Sequence, residues 1–238
     1  MLTTQMVPDN FDITIILPAL IGAISGSLGG NFVTDWLKRK GEKEKLRKEI
    51  IDKYLIQFQY CIQSFVDRLY NIKARSGAQY MMRIKGNKDY YNLTTLYSLG
   101  SILSYHRILL FEGVYSQIDA IYPSFGGLLI SYLDEFGTKL DKLRIFNSET
   151  NTRITFFRYD RMLLGDALTE RENNTSRLCS YLKFKNLYEN DEKIRISLEP
   201  ARIFVENLPL SSELDKIQEG LDKILRELER KTEIKTMF

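Results

Sequence analysis

The densest polar stretch in the chain is FRYDRMLLGDALTER, residues 157–171, which crowds Arg158, Tyr159, Asp160, Arg161, Asp166, Glu170 and Arg171 into one segment. Arg158 and Arg161 stand three residues apart and fall on one face of a helix. Two guanidinium groups so placed can hold an anion or a phospholipid headgroup, with the Asp160 carboxylate orienting them. Asp166 and Glu170, at i and i+4, share a helix face as well. The competing expectation is a solvated face with a few ion pairs between helices, each worth little. Arg158, Asp160 and Arg161 form the candidate polar site.

His106 is the single histidine, and that fact removes whole classes of chemistry. A di-iron bundle needs Glu-x-x-His twice, and zinc hydrolases usually need two or more histidine ligands. A Ser-His or Cys-His pair would have to be built on LSYHRIL, residues 103–109, an apolar helical context with no nucleophile motif. The expected role of His106 is structural, hydrogen-bonded across a bundle. Cys61 and Cys179 are the only cysteines, too few and too far apart for a disulfide framework or a metal cluster. They are expected as reduced thiols in or near the core. No catalytic residue, metal ligand or cofactor site is expected.

The glycine-rich GAISGSLGG, residues 22–30, raises the question of phosphate binding. A P-loop needs G-x-x-x-x-G-K-[ST], and no Lys-Ser or Lys-Thr follows here. The surrounding sequence gives a different answer. Residues 13–33, ITIILPALIGAISGSLGGNFV, are 21 in number and carry no charge. As a helix they extend about 31 Å, close to the ~30 Å hydrocarbon thickness of a bilayer. Gly22, Gly26 and Gly30 then form one smooth row beside Ala19, Ala23 and Ser27, while Leu17, Leu20, Ile21, Ile24 and Leu28 fall opposite. That doubled G-x-x-x-G is the pattern of a close helix contact in lipid. A hinge between two soluble helices, with Gly29-Gly30 stopping the first, is the alternative.

Charge orients the segment. Residues 1–12 hold Asp9 and Asp12 and no basic residue, whereas Lys38, Arg39 and Lys40 follow at once. The N-terminus is expected outside and the bulk of the chain in the cytosol. KRKGEKEKLRK, residues 38–48, sets Lys38, Arg39, Lys40, Lys43, Lys45, Arg47 and Lys48 against two glutamates. With a net charge of +3 for the whole chain, basic character is confined to this segment. It can lie against an anionic leaflet or serve as a topology signal, and nucleic acid is not an expected partner.

Beyond it the pattern is all-α. A long first helix is expected from Thr34 to about Ile72, with Ile51, Leu55, Phe58, Ile62, Phe65, Leu69 and Ile72 spaced 4, 3, 4, 3, 4, 3. That heptad stripe suits a coiled coil, but Ile50, Tyr54, Cys61 and Val66 widen it into the core face of a bundle helix. Further helices are expected over 92–111, over 115–143 with a break at Tyr122-Pro123, over 152–172, briefly after Pro200, and from about 211 to 232. ITFF and IRIS are isolated strand candidates, and 147–151 and 173–176 are expected loops.

The expected organisation is an extracytoplasmic tail over 1–12, a transmembrane helix over 13–33, a basic juxtamembrane helix over 34–48 and a cytosolic helical domain over 49–238. The expected function is a single-pass membrane-anchored scaffold or adaptor that binds a protein partner or self-associates through its glycine face. Two rivals remain from other classes: a membrane-tethered enzyme acting on a lipid or nucleotide, and an oligomeric channel or transport component.

Overall fold

The computed structural model describes residues 38–74, 88–147, 150–173 and 175–234. The chain divides into two compact units between Arg47 and Lys48. In the first, the described residues 38–47 are helical and mostly exposed, with Arg47 and Glu44 paired at 3.6 Å. The expected membrane helix, with Gly22, Gly26 and Gly30, lies outside the described residues. Among those that are described, no helix is long and apolar enough to cross a membrane.

The second unit is mostly helical. After helical residues 48–50 it passes through a π-helical turn, Ile51–Leu55, that runs into α1, Ile56–Ala74. Then follow α2, Lys88–Phe111; α3, Val114–Ile121; and α4, Phe125–Lys142. A short antiparallel pair, β1 (Ile145–Phe146) and β2 (Arg153–Ile154), leads to α5, Arg158–Ala167. A hairpin of β3 (Thr169–Glu172) and β4 (Thr175–Leu178) precedes α6, Tyr181–Asn190. The chain closes with α7 (Glu192–Ser197), α8 (Glu199–Asn207), a single 3-10 turn and α9 (Leu214–Thr232).

The core forms around α2, which packs against α1, α5 and α8. The heptad stripe of α1 is consumed there: Leu55, Phe58, Ile62, Phe65 and Leu69 are wholly buried. The first stripe member, Ile51, is only half-buried while Ile50 and Tyr54 are inside, because the π turn adds a residue and shifts the register. The stripe is thus the buried face of a bundle helix. On α9, Ile217, Leu221, Ile224 and Leu228 are likewise buried against α1 and α4. Each such side chain contributes about 1.5–3 kcal/mol of transfer free energy, so this face fixes where α9 docks. Gln59 fastens the far end by donating to the Ile234 carbonyl at 2.9 Å and accepting from Thr232 at 3.2 Å.

Local chemistry sets the boundaries. The break expected at Tyr122-Pro123 separates α3 from α4, with Ser124 at φ 65° between them. The Asp191 carboxylate accepts from the Lys193 and Ile194 backbone at 2.9 and 3.2 Å, capping α7. Pro200 sits in the first turn of α8, as its missing N–H allows.

The expected helix over 152–172 is corrected. Residues 153–154 pair with 145–146, and only Arg158–Ala167 is helical. From Thr169 the chain enters a strand that turns through Asn173 at φ 49°. Thr169 and Thr175 are β-branched, and asparagine tolerates the left-handed region, so the segment favours a hairpin over another helical turn. Arg177 closes it with ion pairs to Glu170 at 3.1 Å and Glu172 at 3.0 Å. IRIS, in turn, lies in α7.

Candidate functional site

Helices α2, α4 and α5 enclose a cleft of about 490 Å³ that holds His106 together with Arg158 and Arg161. Its shape follows from small residues. Gly165 brings α5 so close to α2 that an added Cβ would stand 3.1 Å from the Leu103 carbonyl. Gly137 on α4 leaves room for the Arg161 guanidinium, which a Cβ there would meet at 3.4 Å. Side chains from three helices therefore converge on one space.

Most of the charge is already committed. Arg161 is 12% exposed, pairs with the Asp141 carboxylate, and donates to the Phe156 carbonyl at 2.9 Å. Arg107 grips Asp166 with two hydrogen bonds, 2.8 and 3.0 Å, and stacks its guanidinium on Phe111 at 4.6 Å. Arg158 is exposed, lines the cleft, and makes no ion pair with the described residues. Asp134 lies in the same cleft and offers the opposite charge.

His106 shares one hydrogen bond between Nδ1 and the Tyr115 hydroxyl, 2.7 Å long. Burial holds its pKa below the ordinary value; the nearby Asp134 carboxylate opposes that shift, and Arg107 and Arg158 reinforce it. At neutral pH the imidazole is uncharged. Burial pushes the Tyr115 phenol up, so it stays protonated. The hydrogen bond expected of His106 is present, with a phenol and not an acid as its partner.

Of the three residues expected to form a polar site, Arg158 and Arg161 line the cleft and Asp160 does not. The Asp160 carboxylate instead turns back to accept from the Phe157 backbone N–H at 3.0 Å, capping α5. It orients neither arginine. Asp166 and Glu170 do not share a face either: Asp166 serves Arg107 on α2, and Glu170, on β3, serves Arg177 and Lys183. Lys38, Arg39, Lys40, Lys43, Lys45 and Lys48 are exposed, and Arg47 is half-buried.

Sequence reasoning missed Arg107, Asp134 and Asp141 as members of this site. Arg107 was adjacent to His106 and could have been drawn in. Asp134 and Asp141 sit on a helix 20 or more residues from Arg161, and only the packing of α4 on α5 reveals them.

Among the described residues no cluster of three or more His, Cys, Asp or Glu side chains could hold a metal ion. The arrangement can recognise charge through the Arg158 guanidinium, which lines the cleft and makes no ion pair with the described residues. Outside the cleft, the same helix exposes Tyr159 and Leu163 at i and i+4, with Phe157 just before them. The fold and cleft define a helical bundle with an arginine-bearing groove. No family model, curated protein or solved structure matches the chain.

Proposed function

We propose that the chain is a membrane-anchored helical interaction module whose α5 face receives an acidic, apolar segment of a protein partner. The observation that carries this reading is the coincidence on α5 of exposed apolar area and uncommitted positive charge. Phe157, Tyr159 and Leu163 are 62%, 78% and 46% exposed, and Arg158 among them has no ion-pair partner in the described residues. Aromatic and arginine side chains are the ones enriched where proteins meet. An acidic residue flanked by apolar ones on the partner would satisfy both features.

The anchor in this proposal is the uncharged run 13–33, crossing once with the N-terminus outside and the bundle in the cytosol. Lys38 to Lys48 then lie on the anionic leaflet, where each basic residue contributes about 1 kcal/mol before its acidic neighbours offset it. Gly22, Gly26 and Gly30 provide the self-association face.

The test is a benzophenone crosslinker in place of Tyr159, activated in intact membranes. A single adduct with another protein is expected, lost with Arg158→Glu and retained with Lys193→Glu on the exposed surface of α7. Adducts only with a second copy of this chain, or an adduct indifferent to Arg158, overturn the α5 reading. Release of the full chain by alkaline carbonate overturns the anchor, and an oligomeric state unchanged by Gly26→Leu overturns the glycine face.

A further inference from the structure

Nearer the N-terminus of α2 a second cleft, about 350 Å³, opens between the start of that helix and the segment α6 to α8. It shares no residue with the arginine cleft. Tyr90, Tyr181 and Tyr188 wall it, and Leu93 and Leu96 line it from α2. Aromatic rings continue behind the wall: Tyr97 packs edge-on against Tyr181 at 5.4 Å and against Phe184 at 5.8 Å, and its hydroxyl is anchored on the Cys179 carbonyl. Tyr181 is therefore backed by a packed aromatic cluster.

Two polar groups in this apolar setting have no partner among the described residues. Asn92 is only 6% exposed and lines the cleft, yet its side-chain amide bonds to none of the described residues. The Tyr181 hydroxyl is buried and has no hydrogen-bond partner among the described residues. Asn92 therefore presents an amide without a protein partner to the cleft, where a ligand carrying its own donor and acceptor can engage it. Charge stands at the rim. Arg202 is fully engaged by Glu199 and Glu206. Lys185 and Arg195 are held only by long pairs within their own helices, to Glu189 at 3.7 Å and Glu192 at 4.0 Å, and both are well exposed. They can exchange those weak partners for a stronger anion.

We infer that this cleft binds an adenine mononucleotide, with the base against the tyrosine wall and hydrogen-bonded to Asn92, and the phosphate on Lys185 and Arg195. An asparagine amide offers a donor and an acceptor side by side, the pair that matches the N6 and N7 edge of adenine. A simple carboxylate ligand would leave the amide donor–acceptor pair half used. Tyrosine faces stack on bases, each worth about 1–3 kcal/mol. The Tyr90 and Tyr181 rings are 6.4 Å apart and nearly perpendicular, so the base stacks on one face instead of sliding between two. Size and charge select one nucleotide with one phosphate. The cavity lies at the small end of ligand sites, roughly 300–1,000 Å³. Lys185 and Arg195 together match one phosphate dianion, and Asp89 and Glu189 on the same rim repel further phosphates.

The experiment is equilibrium dialysis of the full chain in detergent micelles against AMP, adenosine, UMP, inorganic phosphate and an oligoadenylate. Saturable AMP binding is expected, weaker for adenosine and UMP. Asn92→Ala should weaken AMP by about 5- to 150-fold, the range for one bidentate base contact. Lys185→Gln, at an exposed position that leaves folding untouched, should bring AMP down to the adenosine level. Circular dichroism of each variant separates lost binding from lost fold. Equal binding of AMP and inorganic phosphate, AMP binding indifferent to both substitutions in folded protein, or binding of the oligoadenylate alone overturns the inference.

Discussion

Replacing Gly126 and Gly127 one at a time with alanine separates close packing from helix propensity at adjacent positions in the first turn of α4. A Cβ on Gly126 would stand 2.2 Å from the Tyr115 carbonyl oxygen and 3.0 Å from the Asp119 side-chain carbon. Carbon and oxygen normally approach to about 3.3 Å, so α3 and α4 would have to part by about 1 Å. The obstruction is backbone and cannot rotate away. The move would also strain the hydrogen bond from the Gly126 N–H to the Asp119 carboxylate, now 2.6 Å. Overpacking of this kind costs about 1–3 kcal/mol. For a domain of this size each kcal/mol is worth about 2–4 °C, so Gly126→Ala should melt roughly 2–12 °C lower.

Gly127 has nothing within 4 Å of the same added atom and already holds a helical backbone. Alanine there restricts the unfolded chain and should stabilise by about 0.4–1 kcal/mol, raising the midpoint by roughly 1–4 °C. The assay is thermal unfolding of the two variants in the full chain, followed by circular dichroism at the helical band. Opposite shifts are expected. A Gly126→Ala midpoint equal to wild type, or two shifts of the same sign, refutes the packing of α3 on α4 described above.

Two further outcomes follow from the titrating groups. Because the folded His106 has a pKa below its ordinary 6.5, the unfolded chain takes up the proton first; stability should fall as pH drops through 6.5 and level off once the folded imidazole protonates. His106→Gln should remove this acid-side loss, and unfolding midpoints of the two proteins that run parallel between about pH 5 and pH 8 would contradict it. Burial pushes the Cys61 thiol up to about 12, and burial, aided by Glu170, pushes Cys179 up to about 11. At pH 8 each is then a thiolate in no more than about one part in 10³, so a disulfide reagent should label neither quickly until denaturant is added. Rapid labelling of the native chain at the rate of a free thiol would count against this.

The arginine cleft was half legible in the sequence. Arg158 and Arg161 stood out by local density, and their three-residue spacing placed them on one face. Their roles were not legible, since an arginine is defined by what it meets. Asp141, 20 residues away, occupies Arg161, while Arg158 makes no ion pair with the described residues. Asp160, the nearest acid in sequence, is spent on its own helix cap. The tyrosine cleft was not legible at all, because Tyr90 and Asn92 on α2 meet Tyr181 on α6 only through packing, and none of them breaks a pattern.

What the sequence determined by itself is what repeats or fails to repeat locally. The 3, 4 spacing of apolar residues dictates the helices and their buried faces, the Tyr122-Pro123 break ends α3, and one histidine with two cysteines narrows the chemistry. The uncharged run 13–33 with its basic flank carries the whole case for a membrane anchor, by hydropathy and charge alone. Tertiary structure decided the rest. It made the heptad stripe of α1 a bundle core, because α2 and α9 are there to cover it. It turned residues 169–178 into a hairpin, since cross-strand ion pairs and a left-handed Asn173 outweigh a weak helical pattern. It also assigned each charge its partner, because ion pairs and cavities depend on distances between helices that spacing along the chain does not contain.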